Sequence, residues 1–187
     1  MLFQITQIIY WLALSTWFGG VLFIAIAAPI VFKTVRESNP VMTDVLSVNL
    51  EGQHGTLLAG SIVSNLLSRL AWIELTCAGF VLLALIPQFF SGDWLLAMIR
   101  LVLCLVAAGL AGFHQFFIWP RIQKHRGEYI DKADEPEVAN PAKDRFDAEH
   151  RKSVSVLMLT LAVLLLLVMQ SVPNRQVVPL ESSAQRQ

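Results

Sequence analysis

The sequence predicts an all-α integral membrane protein, a four-helix bundle with a short interfacial helix after its first span. Two observations lead there. The 187 residues are 55% hydrophobic and only 15% charged, with a mean hydropathy of +0.58; globular domains carry about 25% charged residues. The apolar residues also fall into four spans, 5–32, 62–87, 94–119 and 152–172, and about 20 apolar residues cross the hydrocarbon core as a helix. In lipid the backbone must be satisfied by helices or a closed barrel. These continuous runs lack the alternation of barrel strands, so helices are expected.

The first span, 5–32, contains "AIAA" at Ala25 to Ala28, which looks like a signal-peptidase site. No Lys or Arg precedes it and its apolar core is too long, so a retained helix is expected. Thr16, Gly19, Gly20, Phe23 and Ala27 form a small-residue face suited to close packing. Pro29 should bend the span near its end. A loop, 33–61, follows. Within it, "SNP" at Ser38 to Pro40 places a capping Asn before Pro and is expected to open a short interfacial helix, Val41 to about Leu50.

On the second span Ser61, Ser64, Asn65, Ser68, Trp72 and Gly79 share a face, with Arg69 at its edge. Glu74 points away from that face, near mid-membrane. The short "PQFFSGD" connection forces spans two and three into an antiparallel hairpin. The third span places Arg100, Cys104, Ala107, Ala108, Ala111, His114 and Gln115 on one stripe, opposite Leu103, Val106, Leu110 and Phe117. Such a stripe packs against another helix or lines a cavity. The second loop, 120–151, includes the acidic "DKADEPEVA", read as flexible. Asn140 and Pro141 repeat the Asn-Pro device and should open the fourth helix before it enters the membrane. On that helix His150, Ser153, Leu157, Thr160, Leu164 and Ser171 align, and residues 173–187 form a polar tail.

Lys and Arg concentrate in the two loops, with Lys33 and Arg36 in the first, seven from Arg121 to Arg151 in the second, and Lys152 directly after it. The positive-inside rule therefore puts loops 33–61 and 120–151 in the cytoplasm and both termini outside. The expected location is a bacterial inner membrane. Net charge is zero, so no nucleic-acid partner is expected. Cys77 and Cys104 both fall inside spans and make no secreted-domain disulfide framework.

Charged groups in the bilayer cost about 2.5–3.5 kcal/mol each at its centre, so those present are candidates. Glu74 is the foremost, as a mid-membrane carboxylate. Arg69 either snorkels or pairs with a carboxylate, and Arg100 lies close to the outer surface, where snorkelling suffices. His114 and His150, at similar depth on neighbouring helices, are either hydrogen-bonding groups or ligands.

"WLALSTWFGGVLFIAIAAPIVFK", "AGSIVSNLLSRLAWIEL", "FHQFFIWPRIQ" and "RFDAEHRKSVSVLML", in that order, resemble the segments of the domain of unknown function 4149, the transmembrane-protein-205-like family. The resemblance covers the chain to about residue 172. It implies a four-helix membrane fold and places family motif positions at Trp17, Gly20, Pro29, Phe32, Gly60, Arg69, Pro120, Arg121, Phe146, His150 and Ser153. The stretch between Arg36 and Leu58 is longer than the family pattern. The family carries no established activity.

No GxSxG, HExxH, P-loop or CxxCH occurs. The expectation is a non-enzymatic multi-pass protein, either a small transporter using Glu74, Arg69 and His114 or an accessory subunit with a membrane partner or a second copy of itself. No cofactor is expected. The alternative is a haem- or metal-binding redox protein using His114 and His150.

Overall fold

The computed structural model describes residues 2–41, 52–90 and 94–172. Five helices carry them: α1 Leu2–Glu37, α2 His54–Leu85, α3 Trp94–Phe113, α4 Trp119–Asp131 and α5 Pro136–Ser171. A 3₁₀ turn, Ile86–Phe90, extends α2, and a π-helical turn, His114–Ile118, joins α3 to α4 without a break. The chain thus has four helices long and apolar enough to cross a membrane, forming an all-α bundle with no strand among the described residues.

α1 packs chiefly along α2, α2 along α3, and α3 with α4 along α5, while α1 touches α5 less extensively. The membrane core gathers Tyr10, Leu14, Trp17 and Val21 of α1 with Leu70, Cys77 and Val81 of α2. Cys104, Ala107 and Ala111 of α3 and Leu164 and Leu167 of α5 complete it. Both thiols are free and buried. Close approach is needed at two glycines. A Cβ on Gly20 would lie 2.8 Å from Leu70 Cδ1, and one on Gly55 would lie 3.1 Å from the Arg36 backbone.

All four long helices outrun their apolar spans at the same end. Residues 33–37 of α1, 54–61 of α2, α4 from Pro120, and 136–151 of α5 project beyond the apolar runs. At ~1.5 Å per residue, α4 alone reaches about 18 Å further. Within the segments 33–61 and 120–151, expected as loops, the described residues 33–37, 54–61, 120–131 and 136–151 are therefore helical. Hydropathy marks where the membrane ends, whereas Lys, Arg and Glu continue a helix at little cost. A second small core of Leu57, Tyr129, Ala133, Ala139 and Ala142 holds the extensions of α2, α4 and α5 together.

"DKADEPEVA" is correspondingly shorter as a turn, spanning 132–135 only. α5 opens at Pro136 rather than at Asn140–Pro141. Pro136 takes the first-turn position where no N–H is required, and the burial of Ala139 and Ala142 carries the helix past Pro141. Asn39 has φ 42°. Its amide bonds the Arg36 carbonyl at 3.1 Å, so it closes α1 in the left-handed conformation that Asn tolerates. The expected interfacial helix at 41–50 and the tail at 173–187 lie outside the described residues, apart from Val41, which is not helical.

Two packing faces differ from expectation. On α1, Thr16 and Gly19 are exposed and Phe23 is 64% exposed; Tyr10, Leu14, Trp17 and Val21 face inward instead. On α2 the serine stripe packs only in part: Ser61 and Ser64 accept from Arg126 and Gln123 of α4, while Asn65 is exposed and Trp72 is 59% exposed. The buried side carries Leu70, Ala71, Glu74, Cys77, Ala78 and Val81. With both sides of a helix apolar, angular pattern alone does not say which meets lipid. On α3 the expected stripe is the buried one, through Cys104, Ala107, Ala111 and His114.

Candidate functional site

Three pairs of polar groups in the membrane core are hydrogen-bonded. Trp17 Nε1 donates to Glu74 Oε1 at 3.3 Å, joining a motif position on α1 to the 4%-exposed carboxyl of α2. The Tyr10 and Ser171 hydroxyls share a hydrogen bond near the other end of the bundle. His114 Nε2 and Ser153 Oγ share a 2.7 Å bond between the π-helical turn and α5. Arg100 does more than reach for the surface. Its Nη1 donates to Gln88 Oε1 at 2.8 Å, and its Nε and Nη2 donate to the Gln170 carbonyl at 3.1 and 2.9 Å. A cation thereby closes the negative C-terminal end of α5 and ties it to the turn after α2.

The remaining expected residues divide. Arg69, Pro29, Pro120 and Arg121 are exposed, and among the described residues no ion pair joins Arg69 to Glu74. Phe32, Gly60, Phe146, His150 and Ser153 converge instead on the charged end of the bundle. There two cavities of about 50 and 210 Å³ share Phe32, Gly60, Arg126, Phe146 and His150 as lining. Ser153 lines the inner cavity. Phe146 and His150 stack one helical turn apart, with centroids 5.9 Å apart and planes at 18°. His150 faces this space, while His114 sits behind Ser153.

The cavity walls add residues that sequence reasoning missed. Arg126 Nη2 donates to the Leu57 carbonyl at 3.2 Å and to Ser61 Oγ; Tyr129 donates to Gln53 Oε1 at 2.6 Å. Lys143 and Asp147 line the outer chamber, one turn apart on α5. Burial lowers the pKa of the Arg126 guanidinium, which still remains charged. Burial raises the pKa of the Tyr129 phenol; the Gln53 bond pulls it back and the Asp147 charge pushes it further up. A signal existed for these positions. Ile122, Arg126, Tyr129 and Ala133 recur at helical spacing through an otherwise charged segment, which marks an inward face on a helix extension. Among the described residues, no group of three or more His, Cys, Asp or Glu is placed to hold a metal ion.

Residues 12–129 match the family described as a domain of unknown function (DUF4149). No curated protein and no solved structure matches the chain.

Proposed function

Since the chain belongs to the DUF4149 family, whose description carries no activity, we propose its function from the placement of its polar groups. It is a non-enzymatic accessory protein of the membrane that works by binding at the charged end of its bundle. The observation that carries this reading is the convergence of Phe32, Gly60, Phe146 and His150 on one cavity there. Glu74, by contrast, is bonded to Trp17 on a packed apolar face. That pairing makes the transporter version, with Glu74 in a pathway, the weaker one.

Phe146, His150 and Ser153 lie beyond the matched stretch. They support the finer placement in the transmembrane-protein-205-like group, whose last-helix entry they resemble. The Lys and Arg of the projecting end support a cytoplasmic position for it, in a bacterial inner membrane with both termini outside. The accessory reading is tested by cross-linking in native membranes and purification in lipid nanodiscs. A stoichiometric membrane partner, or a second copy of this chain, is expected. Recovery of a clean monomer would overturn it, as would a protein-dependent flux in proteoliposomes lost in Glu74→Gln.

The haem alternative keeps one support, the nearness of His150 to the Ser153 partner of His114. With Nε2 of His114 occupied by Ser153, it stands second. A stoichiometric Soret band, lost in His114→Ala or His150→Ala, would reverse that order.

A further inference from the structure

Arg126 is half-buried, and among the described residues its charge is met by neutral acceptors, the Leu57 carbonyl and Ser61 Oγ. No carboxylate lies within ion-pair distance of it among the described residues. The same holds for Lys143. A guanidinium withdrawn from water without a counter-charge is costly, and this one forms the wall shared by both chambers. Lys143 and His150 face the larger chamber with it, and Asp147 is the one acidic side chain among the described residues of that lining. Arg126 and Lys143 thus set two positive charges against one negative among the lining's described residues. The first turn of α2, the positive end of its dipole, adds Thr56 and Leu57. Phe32, Leu57 and Phe146 make the remaining wall apolar.

The depth of the site adds a second line of argument. Phe32 and Gly60 sit at the very edge of the apolar runs, and Arg126 lies seven residues beyond Trp119, about 10 Å at helical rise. That is the level of lipid headgroups. The small inner chamber continues toward the membrane between Val63, Leu67 and Trp119.

We propose that this cavity binds the phosphate of a phosphate ester that is anionic overall, with Arg126 and Lys143 as its charge partners and Phe32 and Phe146 against the carbon skeleton of the ester. The phosphate comes either from an anionic lipid headgroup or from a soluble phosphate ester. The inference rests on the charged end being the working end. It is tested on the isolated full-length chain, so failure to recover a protein partner leaves it standing, and failure to bind phosphate leaves the partner reading standing.

The chain is purified in a non-ionic detergent and delipidated. Binding is followed by native mass spectrometry and by the melting midpoint, with phosphatidylglycerol, glycerol 3-phosphate and phosphatidylcholine as probes. Phosphatidylglycerol is expected to bind and raise the midpoint, and phosphatidylcholine to do neither. Lys143→Gln, which removes no hydrogen bond within the fold, should weaken binding about tenfold, as expected for one charge-assisted hydrogen bond. Arg126→Gln should weaken it at least as much, and if that variant fails to fold, Lys143→Gln carries the test. Lys124→Gln, exposed on the same helix, should bind like the parent. Binding of glycerol 3-phosphate assigns the site to soluble esters; binding of phosphatidylglycerol alone assigns it to the bilayer. No binding by either phosphate probe, equal binding of phosphatidylcholine, or unchanged affinity in Lys143→Gln would overturn the proposal.

Discussion

Glu74 shows how a single buried polar group depends on its partner. Removing the Trp17 donor leaves a carboxyl unsatisfied among Leu70, Ala71, Cys77 and Ala78, at a cost of about 1–3 kcal/mol. Trp17→Phe should therefore lower the melting midpoint in detergent. The same change in a Glu74→Met background should cost less, because both ends of the bond are then apolar; equal costs in the two backgrounds would show that the bond carries no weight. Arg100 offers a sharper case. Arg100→Met strips the Gln170 carbonyl and Gln88 of charge-assisted donors, and a loss of about 1.5–3 kcal/mol per bond sets the upper scale. Arg100→Lys should recover only part of it, since an ammonium does not reproduce the planar fork; full recovery would reduce the role of Arg100 to charge alone. At this scale the sequence was partly legible. Glu74, Arg100 and His114 stood out because charge and imidazole are rare in lipid. Their pairing did not: Trp17 and Ser153 were marked by the family resemblance but not as partners, and Gln88 is an ordinary residue until the fold brings it near. Arg126, one basic residue among many in a charged segment, was hidden for the same reason.

Among the helices, the α1–α2 contact is the tightest, and Gly20 sets it. The added methyl of Gly20→Ala would meet the end of Leu70 at 2.8 Å, and overpacking of this kind costs about 1–3 kcal/mol. Because Leu70 Cδ1 is the tip of a side chain, Leu70→Ala should relieve most of the added cost. A thermodynamic cycle with no coupling between the two sites would refute the close approach. The inward faces of α3 and α5 were readable because Ala, Ser, Thr and Cys mark them against a bulky opposite side. On α1 and α2 the marker misled in part. Thr16, Gly19, Asn65 and Trp72 of their stripes lie outward, whereas Gly20 meets Leu70 and Ser61 and Ser64 accept from Arg126 and Gln123 of α4. The helix ends were the least readable. The extensions of α2, α4 and α5 are held by a second core that includes Leu57, Tyr129 and Ala133, residues far apart in sequence.

The molecule as a whole is a bundle with one long end, and its orientation has a direct test. Both native thiols are buried in the core, so a cysteine introduced at exposed Lys132, in the turn between α4 and α5, is the reactive one. Lys132→Cys should react with a membrane-impermeant maleimide only once cells are opened; labelling of intact cells would invert the topology. The pairing of helices also fixes an order of assembly. α1 meets its main neighbour in the next helix, whereas α3 must wait for α5. Synthesis runs at about 5–20 residues per second, so the first hairpin can close seconds before Ser171 leaves the ribosome. During that interval α3 stands in the bilayer with the Arg100 guanidinium lacking the Gln170 carbonyl and the His114 imidazole lacking the Ser153 hydroxyl. A nascent chain arrested after α4 should accordingly be degraded faster than one arrested after α2, because it is the half-made protein, not the finished one, that leaves these polar groups without their partners.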